Sequence, residues 1–487
     1  MEYPDLLAPL IRSVLLTAYS ITILVIVIII ILENRSPLKT ISWTLVLLLL
    51  PGIGIVFYIF FGQNLRKEKI IARKGLKNHE ILSSIALSQI RKLSNGDLFE
   101  NRQINDKRKI ITLLLNNSNS IVTHGNGVKV LNNGSETFDS IIKTLQAARH
   151  FIHLEYYIFA DDEIGREIIA ILKEKASQGV EVRMIVDDVG SWELKNKFFN
   201  EMRTAGIEIE SFLQVRFPLF TSKVNYRNHR KIIIVDGQIG FLGGINVADR
   251  YIKGDKSYGI WRDMHLKLQG DAVSALQTVF LTDWYFVSQE EITDPRYFSS
   301  QKPVSDKLVQ ITASGPDSDH PAIMMGFFQA ITSAQDYVYV ATPYFMPSES
   351  ILLALKTAAM GGVDVRIIIP EKSDAYITLY CSRSYIKEMI ESGVKFYFYQ
   401  KGFLHSKMLV IDDIVASIGS TNMDFRSFEQ NFEVNAFVFD EEIAVDVRKT
   451  FIHDLKDSRQ INMAEWKKRP KTKKMKESFA RLFSPLL

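Results

Sequence analysis

The chain of 487 residues has a single cysteine, Cys381. One thiol excludes an internal disulfide framework and any zinc site built on paired cysteines, and it fits a reducing compartment. Charge of one sign is also scarce, with a formal net charge of only +4. The excess sits at one end, where Lys467, Lys468, Arg469, Lys471, Lys473, Lys474, Lys476 and Arg481 face Glu477 alone. The remainder is therefore slightly acidic, which argues against a nucleic-acid binder that spreads positive charge over a face. No glycines form a nucleotide loop, and no carboxylate cage for a metal is visible, so no cofactor or metal is implied.

Long apolar runs are present. Ser13 to Leu32 is uncharged, and as a helix it would match the hydrocarbon thickness of a bilayer. Ile41 to Gly62 is a second uncharged run, interrupted by Pro51 and Gly52, which a membrane helix tolerates as a kink. The link between them is short and holds Pro37, so a transmembrane helical hairpin is expected. A cleavable leader fits poorly. Arg12 is the only basic residue of the head, no small-x-small site follows Leu32, and a second span comes at once. Arg66, Lys67, Lys69, Arg73, Lys74 and Lys77 follow the second run, against Arg35 and Lys39 in the loop. This bias puts the bulk of a multi-pass protein on the cytoplasmic side of the cell membrane.

The body repeats itself. Leu172 to Val186 resembles Leu355 to Ile369, each reading as a helix, a glycine and a buried strand. Ile152 to Phe159 and Val338 to Phe345 read as opening strands, and the alternation of strand and helix predicts an α/β sandwich in each half. The expected order is 1–62 membrane hairpin, 63–110 basic helical connector, 111–293 first half, 308–462 second half and 463–487 basic tail. Asp294 to Lys307 links the halves.

The strongest repeat is chemical. His229, Lys231, Asp236, Gly243, Gly244 and Asn246 recur 176 residues later as His405, Lys407, Asp412, Gly419, Ser420 and Asn422, with every offset from the histidine preserved. Both histidine stretches read as strands. On a strand His and Lys share a face, while Asp236 and Asp412 have the opposite parity and are expected to hold the turn that follows. Two His, two Lys and two Asn converging make a cationic, donor-rich site suited to a phosphate diester. Displacement at phosphorus runs in line, so one histidine can attack while the other protonates the leaving alcohol. Lysines and asparagines would neutralise the non-bridging oxygens. Asp263 and Glu433, each about thirty residues past its own histidine, are candidates for orienting it through Nδ1. His150, His153, His265 and His453 lack repeated context and read as structural or surface residues. The residues alone leave open which histidine attacks.

With these motifs in hand, the chain resembles the phospholipase D superfamily, both of whose HKD motifs it carries. Within it, the chain is similar to the bacterial cardiolipin synthase family. Supporting segments are the double apolar run through Tyr58-Ile59-Phe60-Phe61-Gly62, then His153 to Phe159, Thr342-Pro343-Tyr344-Phe345 and His405-Ser406-Lys407. The resemblance implies two phospholipase D-like α/β/α sandwich domains in pseudo-twofold arrangement. It also implies a membrane-embedded phosphatidyltransferase that condenses two phosphatidylglycerols to cardiolipin and glycerol through a phosphohistidine. It assigns His229 as nucleophile, His405 as acid and base, and Asn246, Ser420 and Asn422 to substrate binding. Gly244 departs from the general motif, which has Ser there, leaving Ser420 as the one hydroxyl near the phosphate.

A membrane phospholipase D, or a phosphatidyltransferase with another acceptor, would use the same site. The expected partners are phosphatidylglycerol and anionic membrane lipids, not nucleic acid, and the reading is open to a homo-oligomer. If the tail is helical, Phe479, Leu482, Phe483 and Leu486 give it an apolar edge for a membrane surface; a solvated tail is the alternative. Phe217-Pro218-Leu219-Phe220 and Phe403-Leu404 are candidates for an acyl entrance or for simple core.

Overall fold

The computed structural model describes residues 4–32, 37–50, 52–58, 62, 77–94, 105–215, 225–298 and 302–486. The basic stretch 66–74 and the string Phe217 to Phe220 lie outside these residues. The chain divides into two compact units, residues 1–65 with 217–225, and residues 66–216 with 226–487.

The first unit contains α1 (Pro4–Leu32), α2 (Pro37–Leu49) and α3 (Ile53–Phe57). Within α1, Ile11–Leu32 has a mean hydropathy of 3.0 and is the only helix among the described residues long and apolar enough to cross a membrane. Three of its hydroxyls bond back to the helix: Thr17 donates to the Ser13 carbonyl, Ser20 to Leu16 and Thr22 to Ala18. Such back-bonding hides these hydroxyls from an apolar medium. The second apolar run is not one helix. It breaks between α2 and α3, where Gly52 takes φ +77, a conformation that side chains disfavour. The elements still pack together through Ile23, Ile30, Leu47 and Tyr58, and the Tyr19 hydroxyl donates to the Leu47 carbonyl at 3.2 Å.

In the second unit, α4 (Lys77–Ser94) and α5 (Arg108–Ser118) precede the first half. Its strands are β1 (Val122–Asn132), β2 (Phe151–Tyr156), β3 (Glu181–Asp187), β4 (Glu208–Phe212), β5 (Lys231–Val235), β6 (Ile239–Gly243), β7 (Trp261–Arg262) and β8 (Met264–Gln269). Its helices are α6 (Asn133–Gln146), α7 (Glu163–Ser177), α8 (Asn196–Thr204) and α9 (Asp271–Ser288). The second half supplies β9 (Lys307–Ser314), β10 (Tyr337–Ala341), β11 (Phe345–Met346), β12 (Asp364–Pro370), β13 (Lys395–Tyr399) and β14 (Phe403–Leu404). It continues with β15 (Met408–Ile411), β16 (Val415–Gly419), β17 (Met423–Asp424), β18 (Glu433–Phe439) and β19 (Ser458–Gln460). Its helices are α10 (Ala322–Thr332), α11 (Glu349–Met360), α12 (Tyr376–Glu391), α13 (Phe425–Glu429) and α14 (Glu441–Lys456), followed by α15 (Met463–Lys467) and α16 (Lys471–Arg481).

Both halves share one 15-stranded sheet, and the repeat is visible in its order. The first half runs β4-β3-β2-β5-β6-β8-β1, and the second runs β13-β12-β10-β15-β16-β18-β9 with β19 added at its edge. They join where β1 pairs antiparallel with β9, so the two sandwiches are continuous. On one face α9 and α14 bury a core drawn from both halves, including Phe280, Trp284, Val447 and Phe451. On the other face the halves have separate cores, around α6 and α7 in the first and around α10, α11 and α12 in the second. The core strands read as near-continuous apolar runs because both of their faces are covered. α5 spans the expected boundary at residue 110 and packs in the second half's core through Ile110, Ile111, Leu114 and Leu115.

Two of the histidines read as structural are wholly buried. His153 stacks on Phe280 with centroids 4.5 Å apart, and its Nδ1 lies 2.9 Å from the Gln277 amide nitrogen. Burial, helped by Arg183, pushes its pKa down to about 3. The unfolded chain therefore takes up a proton near pH 6.5 that the folded chain refuses, so stability is lost as pH falls from about 6.5 towards 3. His153→Gln should remove this term. Between pH 7 and pH 5 the variant should lose about 2 kcal/mol less unfolding free energy than the parent, measured by denaturant unfolding in detergent.

Candidate active site

The site is built where the halves cross. Each histidine lies just before the strand it was expected to open, since β5 starts at Lys231 and β15 at Met408. Freed from its own sheet, each histidine segment pairs with the other half. The His229 N–H donates to the Phe432 carbonyl at 2.9 Å, and the Phe432 N–H donates to Arg227 at 2.9 Å. In the mirror position β14 pairs in parallel with β7, and the His405 N–H donates to the Arg262 carbonyl at 2.7 Å.

This exchange fixes the carboxylate partners, and they are crossed. His229 Nδ1 lies 3.0 and 3.1 Å from the Glu433 oxygens, and His405 Nδ1 lies 2.7 Å from Asp263 Oδ2. Asp263 and Glu433 were expected to serve the histidine of their own half; each serves the other's. Both carboxylates are fully buried, with the histidines almost so. A carboxylate on Nδ1 leaves Nε2 for chemistry.

Lys231 and Lys407 are buried beside them. Lys231 Nζ donates to the His229 carbonyl at 2.5 Å and sits 5.3 Å from the Tyr157 ring centroid, whose edge meets His229. Lys407 Nζ lies 2.8 Å from His405 Nδ1 and 3.6 Å from Asp263 Oδ2. The aspartates of the motif lie elsewhere. Asp236 (φ +55) and Asp412 (φ +53) stand at the turns after β5 and β15. Asp236 accepts the N–H groups of Arg149, His150 and Phe151 at 2.8–2.9 Å. Asp412 accepts those of Gln335, Asp336 and Tyr337 at 2.9–3.0 Å, and the Lys107 ammonium at 2.7 Å. Each ties the start of a neighbouring strand to the turn.

The remaining polar residues of the motif divide differently from expectation. The Ser420 hydroxyl donates to Glu433 and accepts the Val434 N–H at 2.9 Å, so it braces the carboxylate behind His229. Gly244 holds the equivalent place opposite Asp263. A Cβ there would lie 2.3 Å from Asp263 Oδ1, so the shorter acid is matched with glycine and the longer with serine. Gly244→Ser should cost about 1–3 kcal/mol by displacing Asp263, seen as a lower unfolding midpoint in detergent. Asn246 accepts the Ile158 N–H and donates to the Tyr251 hydroxyl at 3.0 Å, and that hydroxyl lies 3.2 Å from His405 Nδ1. Asn422 is buried with its Oδ1 unpaired among the described residues.

Four contributors were missed in the sequence. Tyr157, Tyr251 and Trp261 wall the histidines, and Arg230 reaches from the first half to donate to the Glu433 carbonyl at 3.2 Å while pairing with buried Asp283. Tyr251 follows Asn246 by five, but the matching place after Asn422 is Ser427, so the repeat carried no signal for it. Phe403 and Leu404, candidates for an acyl entrance, are wholly buried core.

Burial dominates the electrostatics. It lowers the His229 pKa to about 4, with Glu433 opposing and Lys231 assisting. His405 is driven well below its usual value by burial, then by Lys407, Lys231 and His229. Burial also lowers both lysines and raises Asp263. Burial thus favours the neutral imidazoles, and a negative charge brought beside them would favour the protonated form.

Residues 141–284 and 327–455 match the family described as "Cardiolipin synthase, PLD-like domain", once in each half. The chain belongs to that family. Residues 20–63 match a second family, "Phospholipase_D-nuclease N-terminal". Among curated relatives, a cardiolipin synthase of Halalkalibacterium halodurans is 43% identical over 98% of this chain and 93% of its own length. A cardiolipin synthase of Geobacillus sp. is 43% identical over 96% and 93%, and a probable cardiolipin synthase of Bacillus subtilis is 40% identical over 94% and 90%. Among solved structures, phosphatidylserine synthase from Haemophilus influenzae superimposes with a TM-score of 0.59 at 15% identity, over 78% of this chain and all of that one. That likeness shows a shared fold.

Proposed function

We propose that the protein is a cardiolipin synthase that transfers the phosphatidyl group of one phosphatidylglycerol to a second, releasing glycerol. The observation that carries this reading is the crossed pair of histidines, each with a carboxylate on Nδ1, in a chain of the cardiolipin synthase family. Neutral His229 attacks phosphorus through Nε2. His405, protonated, delivers its proton to the departing glycerol oxygen. The arriving phosphodiester brings the negative charge that lets His405 hold that proton. The neutral His405 then takes the proton of the second lipid's hydroxyl, which attacks the phosphohistidine and frees His229. One phosphodiester is exchanged for another, so no nucleotide enters.

Lys231, Lys407 and Asn422 stabilise the non-bridging oxygens. Glu433 with Ser420, and Asp263 with Asn246 and Tyr251, position the two imidazoles, while Asp236 and Asp412 hold the turns. The apolar unit embeds the chain in the cell membrane by two passes, and the uneven basic flanks put the site on the cytoplasmic side. Phosphatidylglycerol as sole lipid in micelles with the purified protein tests the reading. Cardiolipin and glycerol in equal amounts are expected; phosphatidic acid without cardiolipin would instead mark a hydrolase.

A further inference from the structure

The basic end of the chain is folded, not a solvated tail. α16 docks on α12 through Ala480 and Glu477, both buried. Arg469 pairs with Glu477, and Arg481 pairs with Glu388 at 2.6 Å. The end is fastened by Ser484, whose hydroxyl lies 2.9 Å from Cys381 Sγ and accepts from the Tyr385 hydroxyl at 2.8 Å. These contacts engage both arginines and leave Lys468, Lys471, Lys473, Lys474 and Lys476 exposed without a carboxylate partner among the described residues.

The outward side of α16 is apolar. Met475, Phe479 and Leu482, at i, i+4 and i+7, are 69%, 63% and 73% exposed. At roughly 100° per residue they form one stripe, with Lys474 and Lys476 flanking it on either side and the buried Glu477 and Ala480 opposite. α12 extends the same surface. Tyr376 is 68% exposed, packs edge-on to Tyr380 with centroids 4.8 Å apart, and has its hydroxyl 3.5 Å from Lys476 Nζ. An apolar stripe edged by lysines, with a tyrosine beside it, has the form of a helix lying in a lipid interface.

We propose that α16 and the start of α12 form an attachment face for an anionic bilayer, separate from the N-terminal apolar unit. Met475, Phe479 and Leu482 enter the headgroup boundary, and Lys471, Lys474 and Lys476, on the same side of the helix, meet anionic headgroups. A second copy of the chain would have to present an acidic, apolar patch, whereas an anionic bilayer offers both complements in one surface. The face is not confined to the tail: Tyr376 lies on α12, and the Gln430 amide, just after α13, donates to the Pro485 carbonyl at 3.5 Å.

The full chain with Phe479→Cys, labelled with an environment-sensitive fluorophore, tests this. Cys381 is buried and its thiol is pushed up to about 11, so the introduced thiol alone should react. In vesicles containing phosphatidylglycerol the emission should shift to the blue and be quenched by lipids carrying a spin label near the headgroup. In neutral phosphatidylcholine vesicles both effects should be weak. Lys474→Gln with Lys476→Gln should weaken the membrane-associated fraction of the label by about tenfold at low salt. A label that stays water-exposed in both membranes would overturn the proposal. So would a blue shift without lipid quenching, which would mean that protein covers the face.

Discussion

His229→Ala and His405→Ala should each lower phosphatidyl transfer by at least about 10⁴-fold, and the double variant should be no worse than either single one. The reason is the crossing. Each histidine takes its backbone partner and its carboxylate from the other half, so neither half holds a complete acid–nucleophile pair. Two independent sites would behave otherwise, each single variant keeping about half the activity. Rates on phosphatidylglycerol micelles separate the two outcomes. Equal unfolding midpoints would show that the loss is chemical.

The second large effect concerns the carboxylates. Asp263→Asn and Glu433→Gln should each cut turnover by about 10²–10⁴-fold, because an amide fixes the wrong tautomer or lets the ring turn. Their signatures should differ with a lipid whose leaving group is p-nitrophenol, which departs without acid help. Glu433→Gln impairs His229 and should slow release of the first nitrophenol. Asp263→Asn impairs His405 and should leave that first release fast while later turnovers slow. Pairing within each half would reverse these assignments, so one stopped-flow trace for each variant decides between them.

Much of this was legible because duplication wrote it twice. The paired offsets from His229 and His405 pointed to one shared site, and strand parity set Asp236 and Asp412 apart from it; both stand at turns with positive φ. The crossing was not legible, since spacing along a chain says nothing about which half a segment pairs with. β1 and β9, which join the sheets, were missed because Val122–Asn132 carries two glycines and little alternation. The bond from Ser420 to Glu433 was not legible for a related reason: the length of the opposing acid, which the motif does not encode, decides whether serine or glycine fits there. In the second apolar run the interruption expected at Gly52 is a break between α2 and α3, where Gly52 takes φ +77.

The claim that two halves make one site with divided roles is tested most directly by counting the first turnover. Mixed with a phosphatidyl p-nitrophenyl ester, His405→Ala should release one nitrophenol per chain and then stall, with the phosphatidyl group held on His229. His229→Ala should give no burst. A burst from His229→Ala, or two nitrophenols per chain from His405→Ala, would contradict it.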